Sequence, residues 1–242
     1  MFSLFQKEPA RSTTEIVDLI QKELHDYLKP LGFRKFGRTF NRVVDGDMVQ
    51  VVHLQNGCAA KGITGILWVN LGIRVPECFE RNFSGTEKPK KYYHEYECDI
   101  RTHLGRLVDL RESYYDLKQQ PEKIAKDIIQ RLTVHVMPKF DSLSSRDAIL
   151  QRAPGFCELN KMLDGYKLRD AMIYGRRGDL ETAVRLFNEY YESCARGERE
   201  TYNEAGELCI VQGEMHKGHL RYLEELALKL NVPIHHPKKP WT

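Results

Sequence analysis

The chain has 242 residues, of which 41% are hydrophobic and 29% charged, and its formal net charge is +3. That is the composition of a soluble globular protein with one large domain or two small ones, and the charge is too small to argue nucleic-acid binding. No apolar run reaches the roughly 18 residues of a membrane span. Met1 to Ser12 lacks the basic start and apolar stretch of a secretory signal. Six cysteines are spread without a CxxC pair, which suits reduced thiols, so the expected compartment is the cytoplasm.

Ser12 to Lys29 reads as a helix. Ser12, Thr13 or Thr14 can cap it, and Glu15 supplies the early acid. Ile16, Leu19, Ile20, Leu24, Tyr27 and Leu28 recur at helical spacing, and Pro30 and Gly32 stop the run. Gly37 to Gln55 then reads as two strands around Asp45-Gly46, a strong hairpin signal because the tight turn needs positive φ. A two-residue loop would set Val44 opposite Asp47, Arg42 opposite Val49, Phe40 opposite Val51 and Arg38 opposite His53. It would put Val43 with Met48, Asn41 with Gln50 and Thr39 with Val52 on the other side. Arg38 and Arg42 would then stand side by side, as two guanidinium forks do when they receive a carboxylate or phosphate. A solvated sheet face with scattered polar groups is the commoner outcome for such a pattern.

Residues 56 to 64 read as a small-residue loop. Gly65 to Val75 follows as a strand whose odd positions Leu67, Val69, Leu71, Ile73 and Val75 are all apolar. Its other face presents Trp68, Asn70 and Arg74, which would share a side with Arg38 and Arg42. Pro76 to Tyr93, with Lys88, Lys90 and Lys91, is expected to be an irregular excursion or lid. Glu97 to Arg101 reads as a fourth strand with Asp99 and Arg101 outward, and Leu104 to Leu110 as an edge strand. Tyr114, Tyr115 and Leu117 are expected to pack. From Pro121 the period is helical through Ile124, Ile128, Ile129, Leu132 and Val136 up to Pro138, and a further helix is expected over Ser142 to Arg152.

The first 155 residues therefore predict an α+β domain, an antiparallel sheet of four to five strands with helices on one face. Residues 156–232 predict an all-α helical-hairpin region, and 233–242 a flexible, proline-rich tail. Ala171, Tyr174, Gly178, Ala183, Phe187 and Tyr190 have the spacing of one tetratricopeptide repeat, with Gly178 at the turn. Ala205, Leu208, Gly213, Gly218 and Tyr222 would form a degenerate second unit. An ordinary helical hairpin fits the first pattern equally well.

The blocks LKPLGFRKFGRTFNRVVDGDMVQVVHLQ, LWVNLGIRVPE and ECDIRTHLGRL resemble the bacterial domain of unknown function 4304, over roughly residues 15 to 140. Leu31-Gly32-Phe33 followed by Phe40-x-Arg42, Asn70-x-Gly72 and the acidic strand ending in Arg101 carry the resemblance. Tyr114-Tyr115-Asp116-Leu117 stands where Trp-Trp-x-Leu is expected. The resemblance implies a bacterial, cytosolic α+β domain and no particular reaction.

No GxxxxGK, GxGxxG after a strand, HExxH or GxSxG is present. His216-x-x-His219 with Cys209 has ligand residue types but no completing partner, and the tail pair His235-His236 is weaker. Neither a metal nor a cofactor is expected. Cys58 as a nucleophile, and Asp99 with Arg101 as acid and base, are less economical than loop and surface roles. Lys88, Lys90 and Lys91 beside Tyr92 and Tyr93 mix basic and aromatic groups as single-strand binders do, but a solvated loop is the simpler reading.

The expected function is a non-catalytic binding or adaptor protein, of immunity type, that recognises a protein or anionic ligand through the arginine-bearing sheet face. Arg38, Arg42, His53, Trp68, Asn70, Arg74 and Arg101 would form the site. The alternative is an enzyme for an anionic small molecule or nucleic acid, with His53 or Asp99 as its catalytic group. A third is a scaffold whose helical part makes a homo-oligomer.

Overall fold

The computed structural model describes residues 12–59, 63–83, 90–111, 113–152, 166–202 and 208–235. The loop about Lys88, the side chain of Cys58, the 155/156 boundary, Ala205 and the tail from His236 lie outside them.

Helix α1 spans Thr13–Leu28. The Ser12 hydroxyl accepts the Glu15 N–H, and the Glu15 carboxylate accepts the Ser12 N–H at 2.7 Å, so two orphan donors of the first turn are satisfied reciprocally. Val17, Ile20, Leu24 and Leu28 are buried, whereas Leu19 is exposed: the apolar stripe is turned slightly from the expected one. A short 3-10 turn over Lys29–Leu31 ends at Gly32, whose φ of 88° needs no side chain in the way.

Six antiparallel strands form the main sheet. In order they are β1 (Arg34–Phe36), β2 (Thr39–Val44), β3 (Met48–Ala59), β4 (Ile63–Arg74) and β5 (Ile100–His103), each beside the next. The two-residue β6 (Tyr115–Asp116) pairs with the far end of β4. The sheet is thus the expected antiparallel one. The odd positions Leu67, Val69, Leu71, Ile73 and Val75 are buried as their alternation predicts. They meet α1 and α4 (Pro121–Arg131) in one core with Phe40, Ile124, Ile128 and Phe140.

Between β4 and β5 lies α2 (Pro76–Glu80), a turn of helix begun by proline at its first position. Leu104–Asp109 is a helix, α3, and not the expected edge strand: Leu104 and Leu107 are one helical turn apart and both buried. After α4 the backbone widens into a π turn over Leu132–Val136 before α5 (Met137–Ser142). Pro138 lacks the N–H that a continuous α-helix would use, and the wider turn carries the chain past it.

The C-terminal region is helical. It contains α6 (Arg146–Leu150), α7 (Tyr166–Arg176), α8 (Leu180–Ala195) and α9 (Lys217–Leu230). α7 and α8 form a hairpin around Gly178, at φ 84°. Met172 and Ile173 join the main core, while Leu168 and Ala171 pack with Phe187, Tyr191 and Leu223 in a second one. Where a second repeat unit would place a helix, β7 (Glu198–Tyr202) and β8 (Leu208–Gln212) pair instead, so the described helices supply one such hairpin. No helix among the described residues is long and apolar enough to cross a membrane.

Candidate functional site on the polar sheet face

The turn joining β2 to β3 has three residues, Asp45 to Asp47. Val44 pairs with Met48, Val43 with Val49, Arg42 with Gln50, Asn41 with Val51, Phe40 with Val52 and Thr39 with His53. Asp45 and Gly46 have φ of 47° and 81°, which a three-residue loop accommodates as readily as a two-residue one. Asp47 lies outside the ladder and accepts a bond from Arg146, whose Nη2 reaches its Oδ1 at 2.6 Å. A slip of one residue exchanges the faces of a strand. Arg42 therefore lies on the helix side, where Nε donates to Gln50 and Nη2 meets Asp141 at 2.7 Å. Arg38 sits in the turn between β1 and β2. The expected pairing of Arg38 with Arg42, and of both with Arg74, does not form.

The other face carries Thr39, Asn41, Val49, Val51, His53, Gln55, Trp68, Asn70, Gly72, Arg74, Arg101 and His103. It is not open. Residues 90–99 lie across it as a strap. Asn41 holds the strap by both amide atoms: Nδ2 donates to the Tyr93 carbonyl at 3.0 Å and Oδ1 accepts the Tyr93 N–H at 2.7 Å. Tyr93 and Cys98 pack on Val49 and Val51. Cys98 sits over Gly72, where a Cβ would be 2.6 Å from its sulfur.

Two groups of polar side chains result. At one end of the strap, His53, His94 and Glu95 each bring one ligand-type atom to within 4.8 Å of the others. His53 Nδ1 and the Glu95 carboxylate are hydrogen-bonded. Asn70 Nδ2 donates to Glu95 at 3.2 Å and to Gln55 at 2.7 Å, and its Oδ1 meets His103 Nδ1 at 2.7 Å. Burial raises the Glu95 carboxyl, but the bonds from His53 and Asn70 outweigh it and hold it below the usual carboxylate range. Trp68 stacks obliquely on His103 and edge-on to Tyr114.

At the other end lies a cleft of about 260 Å³, lined among others by Asp47, Arg74, Glu80, Lys90, Tyr93 and Arg176. The Arg74 side chain is 4% exposed; its Nη2 pairs with Glu80, and its guanidinium lies 4.1 Å from the Tyr93 ring centre. Arg176 Nη2 lies 3.8 Å from Asp47 Oδ2, and Arg74 Nε and Arg176 Nη1 are buried without a hydrogen-bond partner among the described residues. Arg101 Nε, on the same sheet face, is in the same condition.

Of the residues singled out in the sequence, His53, Trp68, Asn70, Arg74 and Arg101 share this face, and Arg38 and Arg42 do not join them. Gln55, His94, Glu95, His103 and Arg176 were not signalled. The strap has no period to read, and Arg176 comes from a helix about a hundred positions away from its cleft partners in the strands. His216 occupies the N-cap position of α9 without a side-chain capping bond, and His219 lies 3.2 Å from the Tyr190 hydroxyl.

Asp99 is buried, not outward: Oδ2 accepts the Val75 N–H at 3.2 Å. Burial pushes its carboxyl from 3.8 to about 6, against the pull of Arg81 and Arg169. The folded state thus holds this proton more tightly than the unfolded chain. Stability from this group is present at low pH, falls as pH rises from about 4 to 6, and is absent at neutrality. The shift corresponds to about 3 kcal/mol at most. Denaturant titrations at pH 5 and pH 7 should show a gain on acidification that Asp99→Asn reduces. An identical difference in both proteins would refute the assignment.

The match to known families covers the sheet, α1 from Leu24 and the helices up to α5. Residues 24–142 match the family model of a domain of unknown function, DUF4304. This domain holds the whole main sheet and the strap, while Arg176 lies beyond it. No curated protein and no solved structure matches the chain.

Proposed function

We propose that this is a binding or adaptor protein of the bacterial cytosol, of immunity type, that takes an anionic group in the Arg74–Arg176 cleft. One observation carries the reading: two arginines, Arg74 and Arg176, line the same cleft, and each keeps one buried N–H without a hydrogen-bond partner among the described residues while their Nη2 atoms face Glu80 and Asp47. A buried donor left unpaired costs about 1–3 kcal/mol, so such groups are retained where an acceptor arrives from outside. Phosphate or carboxylate oxygens supply it, and Lys90, whose ammonium is paired with Glu97, stands at the rim. A cleft of this size suits a phosphate group or an acidic side chain of a protein partner better than a large ligand. The α7–α8 hairpin, spaced like one tetratricopeptide unit, would extend the contact with such a partner.

Pyrophosphate and a short polyglutamate peptide, titrated by calorimetry, test this. Arg176→Gln and Lys90→Gln should each weaken binding by about 10- to 100-fold while leaving the circular dichroism unchanged, since a charge-assisted bond is worth roughly 1.5–3 kcal/mol. Affinity unchanged from the parent in both variants, or no uptake by the unmodified protein, removes the cleft as a site.

A second reading, an enzyme acting on an anionic small molecule or nucleic acid, has one observation in its favour. Glu95 anchors the ring of His53 and is itself held by Asn70, the base-and-orienter arrangement that general acid–base catalysis uses.

A further inference from the structure

We infer that His53, His94 and Glu95 form a binding site for a divalent transition-metal ion of the zinc type. This goes beyond the anion cleft and does not depend on it. The donor set is two imidazoles and one carboxylate, which leaves a coordination position open for water or a ligand. Tetrahedral ligands about 2.0–2.2 Å from zinc stand about 3.3 Å from one another. The three donor atoms already lie within 4.8 Å, so closing on an ion requires only side-chain adjustment.

The surroundings are those of ligands and not of three chance neighbours. His94 Nδ1 lies 3.3 Å from the Thr39 hydroxyl, a contact that helps fix the ring. Asn70 donates to the Glu95 oxygen Oε1, leaving Oε2, the atom that faces His53. Tyr96 stacks on the His94 ring at 5.1 Å and Tyr92 meets it edge-on at 5.3 Å, so the imidazole has little freedom to turn away. The donors come from both sides of a joint: His53 from β3, and His94 with Glu95 from the strap. An ion bound there would clamp the strap to the sheet. Without one, the His53–Glu95 hydrogen bond places a proton where the ion would sit.

The test is uptake of cobalt by the full chain after chelation, followed by its visible d–d absorption, with zinc as competitor. One equivalent should bind and be displaced by zinc. His94→Gln and Glu95→Gln should each lose that absorption. Thr39→Val, which keeps all three donors, should weaken affinity by about tenfold. The double variant His216→Gln/His219→Gln should bind like the parent. Circular dichroism guards against misfolding; if a ligand variant is unfolded, the Thr39→Val result decides. The inference is overturned by no uptake, by uptake that survives His94→Gln and Glu95→Gln, or by uptake that depends on His216 and His219. Pyrophosphate titration of the chelated protein separates the two sites. Retained anion binding without cobalt uptake defeats the metal site alone, and the reverse defeats the cleft alone.

Discussion

Replacing Arg146 with methionine should destabilise the fold by about 3–5 kcal/mol, the usual cost of stripping one partner from a buried ion pair. Arg146 is the cation for three carboxylates. Its Nε and Nη2 hold both oxygens of Glu77, at 2.6 and 2.9 Å, as a two-pronged fork. Nη2 also meets Asp47 at 2.6 Å and Nη1 meets Asp45 at 3.2 Å. The Glu77 side chain is 1% exposed, so without the guanidinium its charge has no water to turn to. Burial works against the charge of Arg146, but Glu77 and Asp47 outweigh it and hold the guanidinium more firmly protonated than usual. Methionine keeps most of the stem's volume, so the loss measured is electrostatic and not a cavity. Urea titration checks the size of the effect, and Glu77→Gln added to Arg146→Met should recover part of it. A loss under about 1 kcal/mol would mean that Glu77 finds another partner. Asp47 lines the anion cleft, so the same variant should also loosen the β2–β3 turn and weaken pyrophosphate binding.

That ion pair also explains what the sequence could and could not reveal. Asp45-Gly46 correctly marks a hairpin, because only a turn tolerates two left-handed residues in succession. The three-residue loop places Asp47 against Arg146, which lies 99 positions beyond it. No local pattern encodes a partner that distant, and the resulting single-residue slip moved Arg42 from the polar face to the helix side. The alternation in β4 was legible since every odd position from Leu67 to Val75 faces one core. The capping of α1 was legible because Ser12 and Glu15 act within one turn. In contrast, Leu104 to Asp109 offers three apolar residues, Leu104, Leu107 and Val108, too few to separate a helical turn from a short strand, and packing chose the helix. The strap has no repeating pattern: its start, up to Tyr93, falls in the expected excursion and its end, from Glu97, in the expected fourth strand, which the structure begins only at Ile100. Its order comes from Asn41, Gly72 and Arg74, three residues of two separate strands. The site was therefore half visible: the strand residues His53, Trp68, Asn70, Arg74 and Arg101 could be found by alternation, but the groups that complete it arrive by a segment without periodicity.

The seat of that segment is Gly72, and Gly72→Ala should dislodge it. A Cβ at this position would stand 2.6 Å from the Cys98 sulfur and 2.8 Å from the Cys98 Cβ, both closer than real contacts allow. The sulfur can rotate, but the Cβ is fixed to the strap backbone, so relief requires the backbone to move. Glu95 Cα is the next neighbour, at 3.6 Å. The sheet itself has little reason to yield, because its opposite face is locked into the core with α1 and α4. The strap is held by the two Asn41–Tyr93 bonds, the Arg74–Tyr93 stacking, the packing of Tyr93 and Cys98 on Val49 and Val51, the Val75–Asp99 bond and the His53–His94–Glu95 group. Overpacking of this kind costs about 1–3 kcal/mol, and here the strain falls on the strap. Because the strap supplies Lys90 and Tyr93 to the cleft and His94 and Glu95 to the histidine cluster, one added methyl should impair pyrophosphate binding and cobalt uptake together. Neither Arg176→Gln nor Glu95→Gln should do that. Adding Cys98→Gly to Gly72→Ala removes the colliding Cβ and should restore both activities in part. If Gly72→Ala instead leaves stability, pyrophosphate affinity and cobalt uptake at their original values, the strap cannot be packed against β4 through this glycine, and the two sites lose the element that joins them.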